Sequence, residues 1–117
     1  MLTNLLLVGL GGAAGSMLRY LCQRALNFGF PYGTLLVNVL GCLLIGLLWG
    51  FFYRQDAEHK RLLLMTGLCG GFTTFSSFTA EGVQMLTTDR WLSFALYTAG
   101  SVAAGLVATY FGYKLTS

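Results

Sequence analysis

One run of this chain is rich in glycine and hydroxyl residues and reads Gly67-Leu68-Cys69-Gly70-Gly71-Phe72-Thr73-Thr74-Phe75-Ser76-Ser77-Phe78. The run lies inside an apolar stretch, residues 62–86, that is long enough to cross a bilayer. Backbone groups released from a helix at that depth find no hydrogen-bond partner in lipid, so a break survives only where it lines a cavity or binds an ion. The run therefore predicts a third helix broken near residues 70–75, close to the membrane midplane, and a functional site at the break.

The composition of the whole chain is that of an integral membrane protein. Its 117 residues are 56% hydrophobic and 9% charged, with a mean hydropathy of +0.69. We expect one all-α transmembrane domain, residues 1–117, with helices at about 2–21, 33–53, 62–86 and 91–113. The first stretch lacks a basic leading segment, so we expect a retained helix rather than a cleaved signal.

Positive charge is almost evenly divided between the two sides of the predicted membrane domain. One side carries four basic residues, Arg54, Lys60, Arg61 and Lys114, and the other carries three, Arg19, Arg24 and Arg90. Loop Lys and Arg residues normally set the orientation of a membrane protein. One interpretation is that copies insert both ways and pair antiparallel, and the other is that different features set the orientation.

Three polar residues inside the apolar stretches have more than one interpretation. Asn38, flanked by two valines, is costly to expose to lipid and serves either as packing glue between helices or as a pore-lining amide. Arg19 either extends to the headgroups or provides a cation at a pore mouth. Glu81 belongs either to an ion or proton path or to a structural pair.

No set of residues typical of an active site is visible, so we expect no enzymatic activity, and nothing predicts nucleic-acid binding. The spans instead offer neutral hydrogen-bond donors and the electropositive edges of phenyl rings. Such donors suit a small, strongly hydrated anion, because they replace its water without trapping it. Carbonyl oxygens at the break suit a hard cation such as sodium. The donors are Thr34, Asn38, Ser76, Ser77, Thr79, Tyr97 and Ser101.

Spaced motifs in the first three stretches carry a family resemblance. They read Gly12-x-x-Gly15-x-x-x-Arg19-Tyr20, Gly33-Thr34-Leu35-x-x-Asn38-x-x-Gly41 and Gly67-x-Cys69-Gly70-Gly71-Phe72-Thr73-Thr74-Phe75-Ser76-x-Phe78, with Glu81 following. Together they resemble the CrcB/Fluc family of fluoride channels, over essentially the whole chain. The third motif is the most specific of them.

The resemblance implies an antiparallel, dual-topology homodimer with two pores, which exports fluoride passively across the bacterial inner membrane. It implies that Asn38, Phe75 and Phe78 line the pore, with Tyr97, Ser101 and Thr34 in a polar track beside them. It also implies that backbone carbonyls of Gly70 and Thr73, from both subunits, hold a structural sodium ion, and that Arg19 lies near an aqueous vestibule.

Two other functions fit a small four-helix membrane protein. A proton-coupled exporter of toxic cations shares the size and the dual topology, but it is expected to carry a glutamate in its first span, which this chain lacks. A scaffold that transports nothing would use its glycines and Asn38 only to pack helices.

Overall fold

Helices cover most of the chain in the computed structural model, which describes all residues 1–117. Three long helices are α1 (Leu2–Leu26), α2 (Tyr32–Phe52) and α6 (Trp91–Thr116). A composite third segment consists of α3 (Glu58–Arg61), a π-helix (Leu62–Cys69), α4 (Gly70–Phe72) and α5 (Phe75–Thr87). Four segments, Leu2–Leu26, Tyr32–Phe52, Glu58–Thr87 and Trp91–Thr116, are long and apolar enough to cross a membrane, which confirms the predicted all-helical membrane fold.

Helices α1 and α6 are longer than hydropathy predicts. Helix α1 continues to Leu26 rather than ending at residue 21, and α6 continues to Thr116 rather than 113. Hydropathy marks the part that suits lipid, whereas helical hydrogen bonding continues into polar residues beyond it. The link after α1 is a minimal hairpin, with β1 (Asn27–Phe28) antiparallel to β2 (Phe30–Pro31). Gly29 turns this hairpin with a φ of 70°, which glycine adopts without steric cost.

The third segment is interrupted at two threonines. Thr73 (φ −86°, ψ 159°) and Thr74 (φ −150°, ψ 120°) are extended, and the helix resumes at Phe75. The Thr74 hydroxyl accepts a hydrogen bond from the Ser77 N–H at 3.1 Å, which caps the start of α5. Before the break, residues 62–69 are wound as a π-helix, a rare form that is frequent at functional sites.

Close glycine contacts join the helices in two pairs, α1 with the π-helix and α4, and α2 with α6. A Cβ at Gly15 would collide with the backbone of Leu68 and Phe72, and a Cβ at Gly112 would collide with that of Leu43. Gly15 therefore lets α1 approach the third segment closely within the chain. Only 16 of 117 residues are buried, so most apolar side chains face outward.

Candidate functional site

An open groove of about 440 Å³ lies beside the Thr73–Thr74 break. We call it the break groove. None of its lining side chains is charged. It brings together Asn38, Phe75, Phe78 and Ser101 from the predicted pore and Gly70 and Thr73 from the predicted sodium site, and its other lining residues are Gly41, Cys42, Ile45, Met65, Thr66, Cys69, Thr74 and Val102.

Asn38 holds the break in place. Its Nδ2 donates to the Thr74 carbonyl at 3.0 Å, and its Oδ1 accepts from the Thr74 N–H at 2.8 Å. The side-chain amide thus satisfies both backbone groups of a residue that has left the helix. The second hydrogen on Nδ2 has no partner within the chain, so Asn38 packs helices together and still retains one free donor.

The Gly70 and Thr73 carbonyl groups at the break have lost their helical donors. The Thr74 N–H donates to Asn38, so it no longer meets the Gly70 carbonyl. The Ser77 N–H donates to the Thr74 hydroxyl, and the Thr73 carbonyl accepts no hydrogen bond within the chain. Free carbonyl oxygens are the ligands that hard cations take from backbone, so Gly70 and Thr73 fit a sodium site chemically.

Aromatic rings run from the break groove toward the hairpin after α1. Ring centroids lie 5.9 Å apart for Phe75 and Phe78, 5.1 Å for Phe78 and Tyr97, and 5.4 Å for Tyr97 and Phe30. We call this the aromatic ladder. Phe75 is 77% exposed in the single chain, whereas Tyr97 is 1% exposed. The aromatic ladder is therefore exposed at Phe75, in the break groove, and buried at Tyr97.

Ser101 contributes the one buried side-chain polar atom that has no hydrogen-bond partner, its Oγ. An unsatisfied buried polar atom costs about 1–3 kcal/mol. Ser101 also lines the break groove, where a ligand or water could accept from its hydroxyl. The Ser101 hydroxyl is therefore an unused hydrogen-bonding group beside the groove.

A second polar cluster surrounds Glu81, and we call it the Glu81 cluster. The carboxylate accepts from the Tyr97 hydroxyl at 2.8 Å, the Thr34 hydroxyl at 2.7 Å and the Asn27 amide at 3.1 Å. A hydroxyl has one hydrogen, so Thr34 and Tyr97 donate to Glu81 here. Neither residue lines the break groove. These hydrogen bonds hold Glu81 in place in this structure, and both interpretations of Glu81 and the pore roles of Thr34 and Tyr97 stay predictions.

Arg19 is half-buried and connects the break to the Glu81 cluster. Its Nε donates to the Gly71 carbonyl at 3.0 Å and its Nη1 to the Gln23 side chain at 3.3 Å. Gln23 in turn donates to the Thr34 hydroxyl at 3.0 Å. The four-residue spacing of Arg19 and Gln23 places both on one face of α1, and this pattern could have predicted their hydrogen bond.

The fold and the groove define a multi-pass helical membrane protein with an uncharged site at a helix break. Residues 6–113 match the model of the family described as CrcB-like protein, Camphor Resistance (CrcB). The chain belongs to this CrcB family, as the sequence motifs predicted.

Curated relatives are similar over nearly the whole chain. "Fluoride-specific ion channel FluC 2" of Rhodococcus jostii is 48% identical over 116 residues, covering 97% of this chain and 99% of the relative. "Fluoride-specific ion channel FluC" of Nitratidesulfovibrio vulgaris is 45% identical over 115 residues, covering 93% of both. The protein of that name from Flavobacterium psychrophilum is 45% identical over 111 residues, covering 90% of both. These names describe ion channels, which agrees with the prediction that the chain is not an enzyme.

Proposed function

We propose that this protein is a fluoride-selective channel that lets the anion leave the cell passively and electrogenically, which relieves fluoride toxicity. The observation that carries the proposal is the uncharged break groove, where the Ser101 hydroxyl and one Asn38 hydrogen lack acceptors beside two phenyl rings. Neutral donors and ring edges replace the water of a small anion without binding it too tightly. Relatives named fluoride-specific ion channels support the same function.

The working unit is an antiparallel, dual-topology homodimer with two pores, in the bacterial inner membrane. The nearly even distribution of basic residues, four against three, supports insertion in both orientations. The exposed Phe75 ring and the open groove support a second copy as the missing wall. In this assembly the break lies near the membrane midplane, where the released backbone groups face protein and ligand rather than lipid.

A structural sodium ion belongs at the dimer interface, held by the Gly70 and Thr73 carbonyls of both subunits. The loss of helical donors at these two carbonyls supports the assignment. Four neutral oxygens bind a hard cation without adding net negative charge beside an anion pathway. When bound, the ion would supply positive charge and hold the two broken helices together.

The fluoride path begins at Asn38, Phe75, Phe78 and Ser101 in the groove. Tyr97 continues the path through its ring contact with Phe78, at 5.1 Å. Thr34 extends it through the hydroxyl that also bonds Glu81.

Fluoride efflux from liposomes, measured with an ion-selective electrode and with chloride as the control, tests the function. We expect fluoride efflux that requires valinomycin and potassium, because a bare anion leaving the liposome builds a voltage that stops further flow. No fluoride efflux would contradict the proposal and leave the scaffold and the exporter. Transport of a toxic cation driven by a proton gradient would then favour the exporter.

A further inference from the structure

Arg19 provides a hydrogen bond that the broken helix has lost. In a continuous helix, the Gly71 carbonyl would accept from the N–H of Phe75. Extended backbone at Thr73 and Thr74 intervenes, and the Arg19 Nε–H meets the Gly71 carbonyl at 3.0 Å. The contact joins residues 52 positions apart, so it fixes α1 directly to the end of α4.

The electrostatics of this contact favour a positioning role. Both hydrogen-bond partners of the guanidinium, the Gly71 carbonyl and the Gln23 amide, are neutral. A positive group at the last carbonyls of a helix is stabilised by the helix dipole. Hydrogen bonds from a charged donor are also stronger than neutral ones.

Gln23 restricts the Arg19 side chain. Its Oε1 accepts from Arg19 Nη1, and its Nε2 donates to the Thr34 hydroxyl, so two amide atoms connect Arg19 to α2. The guanidinium therefore has two anchors, one on the break and one on Gln23. This arrangement limits the rotation of the peptide group after Gly71, which lies next to the Gly70 carbonyl.

We infer that Arg19 is a positioning residue for the carbonyl cation site at the break, and that Gln23 holds Arg19 in place. The inference rests on the proposed function, since it assumes that Gly70 and Thr73 bind a small hard cation. It gives Arg19 a different task from that of attracting anions at a vestibule. Positioning the cation site depends on the geometry of the Arg19 hydrogen bonds, whereas attracting anions depends only on its positive charge.

The Arg19→Lys variant separates geometry from charge, because it keeps the charge and removes the planar fork. Arg24→Lys is the matched control, since Arg24 is exposed and bonds only the Tyr20 hydroxyl, at 3.4 Å. Thermal unfolding of the whole chain in detergent is measured at a series of sodium concentrations, with choline added to keep the ionic strength constant. Amide hydrogen exchange of residues 70–78 is followed in the same samples.

For Arg19→Lys we expect the sodium concentration at half-maximal stabilisation to rise about tenfold, the equivalent of one charge-assisted hydrogen bond. Exchange at residues 70–78 should also become faster. Arg24→Lys should match the wild type in both measurements. Gln23→Met, which releases the second anchor, should shift the sodium midpoint in the same direction by a smaller factor.

An unchanged sodium midpoint and unchanged exchange in Arg19→Lys would overturn the inference while leaving the channel function intact. A fluoride flux that depends on Arg19 only at low ionic strength, with an unchanged sodium midpoint, would also overturn it and favour the vestibule role. If wild-type protein does not respond to sodium, the inference fails together with the proposed cation site, whereas fluoride efflux from liposomes still tests the channel function.

Discussion

The break groove and the Glu81 cluster both contain hydroxyl and amide side chains, but the two regions differ in whether the hydrogen-bond donors of these side chains are used. In the groove, the Ser101 hydroxyl has no partner and Asn38 keeps one free hydrogen. In the Glu81 cluster, the hydroxyls of Thr34 and Tyr97 both donate to the carboxylate. The aromatic ladder connects the two regions through Phe78 and Tyr97. The two regions therefore differ in whether their donors are already used, which hydroxyl content alone does not indicate.

The largest effect is expected from Asn38→Asp, which should lower fluoride efflux by about 100-fold or more, the equivalent of about 2.8 kcal/mol, since it places a negative charge on the path of an anion. A carboxylate there cannot donate to the Thr74 carbonyl and would repel both that oxygen and the anion. Asn4→Asp, the same change outside the groove lining, is the control. Efflux at the wild-type rate in Asn38→Asp would mean that the break groove is not part of the fluoride path.

Phe75→Ile should reduce efflux about tenfold, because isoleucine keeps apolar bulk and loses the electropositive ring edge. The fold of the single chain should change little, since Phe75 is 77% exposed in it, and the oligomeric state is measured in the same samples. Phe111→Ile on α6 is the matched control, as this ring is also exposed and lies outside the groove. Equal efflux in the two variants would contradict a role for the Phe75 ring.

Tyr97→Phe tests the Glu81 cluster and should destabilise the protein by about 1–2 kcal/mol, because Glu81 loses one of its three donors. Efflux should fall by less than in Phe75→Ile, since the ring contact with Phe78 remains. Unfolding in detergent and liposome efflux are measured together. Tyr110→Phe, at an exposed tyrosine, is the control. A loss of efflux with unchanged stability would mean that the Tyr97 hydroxyl serves the ion rather than Glu81.

The smallest effect is expected from Ser101→Ala. Removing an unsatisfied buried oxygen should leave stability unchanged or raise it by up to about 1 kcal/mol. Efflux should nevertheless fall by roughly twofold to threefold, the equivalent of about 0.5 kcal/mol, because the path loses a free donor. Ser93→Ala on α6 is the control. A clear loss of stability in Ser101→Ala would mean that the hydroxyl has a structural partner in the assembled protein.

Several features of the fold and the site were predictable from sequence because their causes are local. Apolar runs of bilayer length predict the four spans, and the third-segment motif predicts the family. The extra turn of α1 and the π-helix were not predictable, since neither has a hydropathy signal. The use of Gly15 within the chain was also missed, because small-residue spacing does not identify the partner helix.

The sequence by itself determined that the chain spans a membrane, which family it belongs to and where uncharged donors and ring edges are concentrated. Tertiary structure decided which of those donors are already used. Asn38 meets Thr74 36 residues away, and Thr34 meets Glu81 47 residues away. Whether a hydroxyl keeps a free hydrogen depends on an acceptor that only folding brings within hydrogen-bond distance.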